Sequence, residues 1–396
     1  MIKTRNIADW LETHWVTPSY SGWLLSGFFL FCFIAATNTM AGWLYIISGI
    51  GFALLAIAAI LPERILRNIH VRRNPIYPVS AGEPLIVEVG LENTSSQTKT
   101  LVQIQDMLPY VLAQPTIAAI EAIPSNSTYV WTYSQPTQHR GVYRWQSVQL
   151  RTAAPLGLFW CRRTRLAKAI AVVYPTVLTL TRCPLIDQIG RDVSLQFHSD
   201  QRAQTATEGM TRSLRPYRWG DPTRLIHWRS SSRYGELRVR ELEVFTGGQS
   251  LVVCLDSALY WKTASDSPSG FSEAFEQAVV AATSLYFYAA HQNLDVKLWT
   301  AGTGLVQGSQ AVLETLAGVK SGEEVNAETL PSLPLVWLTQ NPSGLSTLPP
   351  GSRWILWNSE ESSSDQQSKP TINPKIHTNP GLIIQPDQPL QRQLQS

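Results

Sequence analysis

The feature that most restricts the fold of this chain is a long uncharged stretch near its amino terminus. Residues 15–62 contain no Asp, Glu, Lys or Arg. Two apolar runs lie within it, at residues 22–36 and 41–61, and the polar Thr37-Asn38-Thr39 separates them. A membrane-spanning helix needs about 20 largely apolar residues, and backbone inside a bilayer must satisfy its own hydrogen bonds. The stretch therefore predicts a hairpin of two transmembrane helices within residues 1–70.

Basic residues flank this hairpin on both sides, whereas its connecting turn has none. They are Lys3 and Arg5 before it and Arg64, Arg67, Arg72 and Arg73 after it. Because positive charge marks the cytoplasmic side, both termini and the soluble part are predicted to be cytoplasmic. Aromatic residues suited to the membrane interface are Trp15, Tyr20, Trp23, Trp43 and Tyr45. The alternative is a cleaved signal peptide before a secreted domain, which the second apolar run disfavours.

Length, charge and cysteine content narrow the class of protein further. A chain of 396 residues allows two or three domains. Its net charge of +3 is too small to argue by itself for nucleic-acid binding. The four cysteines, which show no Cys-x-x-Cys spacing, are Cys32, Cys161, Cys183 and Cys254. In a cytoplasmic protein such thiols are expected to be isolated and mostly buried.

The segment after the hairpin has the alternation of β-strands. Leu85, Val87, Val89 and Leu91 occupy every second position, and Asn93 begins a turn. Further short β-prone runs follow as far as residue 174, with prolines between them. Many short strands without helical periodicity are typical of a sandwich. Residues 71–180 are therefore predicted to form an immunoglobulin-like β-sandwich.

The carboxyl-terminal part changes to alternating strands and helices. Ser250–Leu255 is a continuous apolar run, as expected of a strand buried on both faces. The predicted helices are residues 271–291 and 310–319, and the further strands are 296–300, 335–339, 354–357 and 382–385. This alternation favours a parallel, doubly wound α/β sheet over residues 250–396. Within it the polar residues 359–375 are predicted to form a loop.

Between these domains, residues 181–249 contain a dense mixture of arginines, aromatic residues and acids. Gly220-Asp221-Pro222 predicts a turn into a helix over residues 222–228 that would bury Leu225, Ile226 and Trp228. A strand is expected at residues 236–245. Gly247-Gly248 would then turn it antiparallel to the strand at 250–255, as an edge hairpin.

This segment resembles the bacterial domain-of-unknown-function family number fifty-eight. The residues that carry the resemblance are Leu214, Arg215, Tyr217, Gly220, Asp221, Arg224, Ile226, Trp228, Ser232, Arg233, Gly235, Arg240, Glu241 and Glu243. Upstream, residues 140–143, 155–159 and 174–175 also match. The resemblance implies a protein of the bacterial plasma membrane with a von Willebrand factor A-like sheet, and an association with MoxR-type AAA+ ATPases.

The arginines of the motif can have two roles. Arg215, Arg224 and Arg233 are expected to pair with Asp221, Glu241 or Glu243, or to stack on Trp228 or Tyr217. Arg218, Arg229 and Arg238 are expected to point outward, toward an acidic partner or the anionic inner leaflet. The predicted motif and interaction residues are Arg215, Tyr217, Arg218, Gly220, Asp221, Arg224, Trp228, Arg229, Arg233, Arg240 and Glu241.

The resemblance to von Willebrand A-like proteins makes the end of the strand at residues 250–255 a candidate metal site. Proteins similar to von Willebrand A domains often bind Mg²⁺ there through Asp-x-Ser-x-Ser. This chain has Asp256 and Ser257, but Ala258 and Tyr260 stand at the two hydroxyl positions. Asp256 and Ser257 are thus weak metal candidates, with Thr300 and Thr303 nearby, and neither a metal nor a cofactor is expected.

Other catalytic patterns are missing from the sequence. The seven histidines have no metal-ligand spacing, and no Gly-rich phosphate-binding loop occurs. We therefore expect a non-enzymatic membrane-anchored adaptor with a cytoplasmic docking surface. The lipid bilayer is one partner, and the family resemblance implies a MoxR-type AAA+ ATPase as another. The alternatives are a metal-dependent von Willebrand A-like ligand-binding module and an anionic-lipid or nucleic-acid binder, although nucleic acid is not expected. The oligomeric state stays open.

Overall fold

A computed structural model describes residues 7–189, 210–218, 223–243, 250–262, 272–326, 333–349, 351–357 and 379–396. The chain divides into two compact units, Met1–Pro175 and Thr176–Ser396. The predicted domain boundaries at residues 70, 180 and 249 are finer than this division and stay predictions. The first unit combines the hairpin with the sandwich, since Leu66 and Ile69 are buried in the sandwich core.

The amino-terminal helices match the predicted hairpin. A short helix α1 (Ile7–His14) precedes α2 (Tyr20–Thr39) and α3 (Gly42–Leu66). Both long helices are apolar enough to cross a membrane, and most of their surface is not covered by protein. Met40 ends α2 with φ 55°, a left-handed conformation that reverses the chain within two residues. The first unit therefore carries an apolar anchor that suggests attachment to a membrane.

Mostly antiparallel strands form the rest of the first unit. In chain order they are β1 (Thr17–Pro18), β2 (Ile69–Arg73), β3 (Val79–Ser80), β4 (Pro84–Asn93), β5 (Lys99–Asp106), β6 (Thr116–Ile123), β7 (Ser127–Pro136), β8 (Gly141–Thr152) and β9 (Phe159–Tyr174). One sheet has the order β2-β4-β7. The other has the order β1-β9-β8-β5-β6, and β3 pairs with β9 in parallel.

The two sheets enclose one apolar core, which confirms a β-sandwich. Leu85, Val87, Val89 and Leu91 are fully buried, as their alternation predicts. They pack with Ile104 and other residues of the larger sheet in the same core cluster. Because successive side chains of a strand point to opposite faces, this alternation places β4 with one face on the core.

A small element opens the second unit. Residues 184–189 are helical. Strand β10 (Met210–Pro216) pairs antiparallel with β11 (Arg238–Glu243). Between them lie a one-turn 3-10 helix (Thr223–Leu225) and helix α4 (Trp228–Tyr234). The helix predicted at residues 222–228 is therefore a single 3-10 turn in its described part, and the α-helix begins where the predicted one ends.

A mainly parallel sheet forms the rest of the second unit. Its strands are β12 (Ser250–Leu255), β13 (Asp295–Thr300), β14 (Gly304–Val306), β15 (Leu335–Thr339), β16 (Arg353–Trp357) and β17 (Gly381–Ile384). Their order is β14-β13-β12-β15-β16-β17, with β14 antiparallel to β13. The helices are α5 (Glu273–His291), α6 (Ser309–Gly318) and α7 (Leu390–Gln395).

The helices cover this sheet unevenly. Leu251, Val253 and Leu255 of β12 share one core cluster with side chains from α5, α6 and α7. On the opposite face, Val252 and Cys254 pack in a separate cluster, and the 3-10 helix Pro342–Thr347 covers neighbouring strands. A doubly wound sheet has helices on both faces, whereas in the part of the chain that the structure describes the second face is covered by this 3-10 helix. Here the connection from β15 to β16 is short and rich in Pro and Gly, which disfavours an α-helix.

The partner of β11 also differs from the prediction. We expected this strand to pair with β12, but β12 lies between β13 and β15 and is hydrogen-bonded to both. Both edges of β12 are therefore occupied, and β11 pairs with β10 instead. The predicted Gly247-Gly248 turn and the polar loop at 359–375 lie outside the described residues.

Candidate functional site

Helix α4 exposes a group of aromatic and basic side chains. Trp228 and Tyr234 are 65% and 59% exposed, and Arg229 and Arg233 are exposed as well. We call these four residues the docking surface. The prediction that Trp228 is buried is wrong, because α4 starts at this residue and Ile226 takes the buried position beside Val239. Exposed Trp and Arg are the residue types that most often dominate binding energy at protein interfaces.

Several backbone contacts hold α4 in place. His227 caps the helix, and its ring nitrogen Nδ1 accepts a hydrogen bond from the amide of Ser230 at 3.2 Å. The amide of His227 donates to the carbonyl of Arg238 at 2.8 Å. The amide of Arg238 donates in turn to Oγ of Ser231 at 2.9 Å. The helix is thus braced against β11, and His227 has a structural role as a cap.

Arg238 does not point outward as predicted. Its guanidinium lies over the ring of Tyr234, 4.4 Å from the ring centroid, and the residue is half-buried. Its Nε is buried and has no hydrogen-bond partner within the described part of the chain. A cation held against an aromatic face fixes the ring as well as itself. Arg238 therefore helps to hold Tyr234, one of the four residues of the docking surface, in position.

Fewer contacts are described for the other predicted motif residues. Arg215 and Tyr217 are half-buried, and the amide of Tyr217 donates to the carbonyl of Leu237 at 2.8 Å. Arg218 is exposed, as is Arg233, which we expected to act as a clamp. Gly220 and Asp221 lie outside the described residues. For Arg224, Arg240 and Glu241 only the backbone is described, so their predicted pairings stay predictions.

A second group of polar residues lies at the carboxyl edge of the parallel sheet. Asp256 follows β12, and its Oδ2 accepts a hydrogen bond from the hydroxyl of Thr339, at the end of β15, at 2.7 Å. Burial raises the pKa of Asp256, although the hydrogen bonds from Thr339 and from the backbone at Leu259 oppose this effect. The connections from the sheet diverge between β12 and β15, where ligands of α/β proteins often bind.

The neighbouring hydroxyl does not join this group. Ser257 is fully buried, and its Oγ accepts a hydrogen bond from the amide of Ala301 at 2.9 Å. Thr300 and Thr303 hydrogen-bond to each other at 2.7 Å. Across the residues that the structure describes, no cluster of three or more His, Cys, Asp or Glu side chains could hold a metal ion. The Asp256–Thr339 contact therefore joins two strands, and Ser257 fixes the loop after β13.

Sequence reasoning missed the residues that join the anchor to the sandwich. Glu12 of α1 is buried and pairs with Arg151 and Arg162, at 2.5 and 3.0 Å. Arg163 donates to the carbonyl oxygens of Thr13 and other residues at the end of α1. The sequence shows these residues only as a single Glu before an apolar stretch and an Arg-Arg pair in a strand. Neither pattern predicts an ion pair, because about 140 residues or more separate Glu12 from its partners.

The carboxyl end of α3, where the hairpin ends, is also held by cationic side chains of the sandwich. Arg165 of β9 donates to the carbonyl of Leu66, the last residue of α3, at 3.0 Å and to that of Ile69 at 3.3 Å. Nζ of Lys99 donates to the carbonyl of Arg64 at 3.2 Å, and burial lowers the pKa of this lysine. Cationic side chains at the carboxyl end of a helix satisfy its free carbonyl groups.

The start of α2 contacts the loop before β9. The amide of Ser19 donates to the carbonyl of Leu158 at 2.8 Å, and its hydroxyl donates to that of Gly157 at 2.7 Å. Gly22 makes this approach possible, since a Cβ there would lie 2.2 Å from the oxygen of Leu158. Both ends of the hairpin are therefore fastened to the same end of the sandwich.

Comparisons with known proteins do not assign a family. No protein-family model matches the chain, and no curated protein matches it significantly. Among solved structures, a CARDB domain from Pyrococcus furiosus is 13% identical, with a TM-score of 0.20, over 27% of this chain and 94% of that one. A β-glucosidase from Listeria innocua is 14% identical, with a TM-score of 0.18, over 28% of this chain and 16% of that one. At these scores, neither similarity bears on function.

Proposed function

We propose that this chain is a non-enzymatic adaptor, anchored in the bacterial plasma membrane, that presents its docking surface to a MoxR-type AAA+ ATPase. The observation that carries the proposal is the exposure of Trp228, Arg229, Arg233 and Tyr234 on a helix braced by β11. Exposing two large aromatic rings is unfavourable unless a partner covers them. A partner with an acidic, partly apolar surface would complement these four side chains.

The proposed location is the cytoplasmic side of the membrane, with two passes through the bilayer. The basic residues on both sides of the hairpin support this orientation. The contacts of Ser19 and Arg165 with the sandwich support the two passes, because they require both hairpin ends to lie on the side of the sandwich.

The proposed partner and family rest on the motif between Leu214 and Glu243. In the proteins that this motif resembles, a von Willebrand A-like sheet follows the motif. The second unit has a mainly parallel sheet with Asp256 at the end of its first strand, which is consistent with a sheet of this kind. We infer from its proposed placement beside the membrane that the adaptor has a role in assembly or maturation of membrane complexes.

Co-purification of the full-length protein in detergent tests the proposal. We expect an AAA+ ATPase to be recovered with the native chain and lost with Arg229→Glu, since charge reversal repels an acidic surface. Arg392→Glu is the matched control, because Arg392 is also an exposed arginine of the second unit. Recovery of no ATPase with the native chain, or equal recovery with Arg229→Glu, would contradict the proposal.

One rival use of the same surface is binding to anionic lipid, since Arg and Trp also suit a bilayer surface. Vesicles with and without phosphatidylglycerol distinguish the two. Salt-dependent vesicle binding by the docking surface, lost with Arg229→Glu while ATPase recovery persists, would assign the surface to the membrane instead.

A further inference from the structure

The larger sheet of the sandwich carries an open cleft on the first unit. It lies between β5, β6 and the loop before β9, and its volume is about 560 Å³. Ligand pockets of small molecules commonly have volumes of about 300–1,000 Å³. The exposed or half-buried apolar side chains that line the cleft include Leu101, Ala119, Leu156 and Trp160.

The cleft is also lined by three polar residues, Gln103, Glu121 and Arg151. Arg151 lines it, but its guanidinium pairs with Glu12 and lies 4.1 Å from the ring centroid of Trp160. Since Glu121 lines the cleft as well, the charges of the lining balance and do not call for an anionic ligand. The remaining lining favours an occupant that is a chain of apolar atoms.

Two leucines of the cleft are unusually exposed. Leu101 is 63% exposed and Leu156 is 47% exposed. Leu101 also has φ 53°, a left-handed conformation that costs a leucine about 1–2 kcal/mol. An apolar side chain held in this way and left uncovered is more readily explained if an apolar occupant covers it.

The cleft is continuous with the membrane anchor. Gly157, which lines it, accepts a hydrogen bond from the hydroxyl of Ser19, one residue before α2. Trp15 and Tyr20 are both largely exposed beside this contact, as aromatic residues at a bilayer surface usually are. A lipid of the adjacent leaflet would therefore reach the cleft without passing through water.

We propose that this cleft binds one acyl chain of a phospholipid drawn from the leaflet next to the sandwich. The chain lies along Leu101 and Ala119, and the loop at Leu156 forms the entrance from the bilayer. This inference depends on the membrane anchor but not on the ATPase or on the docking surface.

Photo-crosslinking of the full-length protein tests the site. The protein is placed in nanodiscs of phosphatidylethanolamine and phosphatidylglycerol that contain a phosphatidylcholine with a diazirine on one acyl chain. We expect labelled peptides from β5 and β6 in addition to those from the membrane helices. Ala119→Trp should abolish the labelling of β5 and β6, because the indole fills the cleft, and Leu156→Ser should reduce it.

The matched control is Ala122→Trp, which adds the same ring to an exposed position of β6 that does not line the cleft. It should leave labelling unchanged, and unaltered circular dichroism of all three variants would exclude misfolding. Labelling confined to the membrane helices overturns the proposal. So does labelling of β5 and β6 that survives Ala119→Trp, or that is lost equally in the control.

Discussion

The guanidinium of Arg73 on β2 pairs with the carboxylate of Asp106 on β5 through two nitrogens, at 2.5 and 2.6 Å. Both side chains are almost fully buried, so the pair links the two sheets inside the core. The hydroxyl of Tyr133 donates to the same carboxylate at 2.7 Å and Nε1 of Trp145 donates at 3.0 Å. Burial, reinforced by the carboxylate, raises the pKa of Tyr133, which therefore stays a donor.

Replacing Asp106 with Asn should destabilise the sandwich strongly. The amide keeps the size of the side chain but leaves the buried charge of Arg73 without its counter-ion, which typically costs about 3–5 kcal/mol. Thermal unfolding of the full-length protein in detergent, followed by tryptophan fluorescence, measures the loss. Glu92→Gln is the control, because the Arg72–Glu92 pair is solvent-exposed and contributes about 1 kcal/mol or less. Equal losses of stability for Asp106→Asn and Glu92→Gln would contradict the inference that the Arg73–Asp106 pair matters more because it is buried.

Arg165→Met should loosen the joint between anchor and sandwich. The variant keeps an apolar stem but loses the donors to Leu66 and Ile69, which leaves partly buried carbonyl groups unpaired and costs about 1–3 kcal/mol. Hydrogen exchange should rise at the end of α3 and in β2. Arg144→Met changes an exposed arginine of the same sheet and should leave exchange there unaltered. An Arg165→Met protein with native exchange at these amides would show that the joint does not need this residue.

Asp256→Asn should flatten part of the pH dependence of stability. Burial raises the pKa of Asp256 above its unfolded value of about 3.9, so the folded state binds more protons than the unfolded state between the two values. Stability contributed by this group is therefore present at low pH and is lost as pH rises through that window. Unfolding measured at several pH values should show the fall for the native chain and not for the variant. A variant that falls as steeply would place the pH dependence on other groups.

Local patterns predicted much of the fold correctly. Leu85 to Leu91 alternate because one face of β4 is buried, and Ser250–Leu255 is continuously apolar because β12 is buried on both faces. The two apolar runs became α2 and α3. In each case burial of a single element determines the pattern, so the information lies within a few neighbouring residues.

Pairing over long distances could not be predicted in this way. The expectation that β11 pairs with β12 used a Gly-Gly turn, whereas the true neighbours of β12 are supplied by strands about 45 and 85 residues later. Trp228 illustrates a second limit of prediction from sequence. The predicted helix ended at Trp228, whereas α4 begins there, and this difference places the side chain in an exposed position instead of a buried one. At the candidate site, Arg218 and Arg229 are exposed as expected, but Arg233 was expected to be a clamp and is exposed too. Arg238 was assigned to the wrong side, because its stacking on Tyr234 depends on how α4 meets β11.

Leu66 ends the apolar helix α3 and is also fully buried in the core of the sandwich. A bilayer that holds α3 would also hold a core side chain in place and would thereby act as a ligand of the folded state. Insertion and folding would then be thermodynamically linked, since each would make the other more favourable. A truncated form that begins after the helices would lack this side chain, and its sandwich should be less stable than the same sandwich in a membrane.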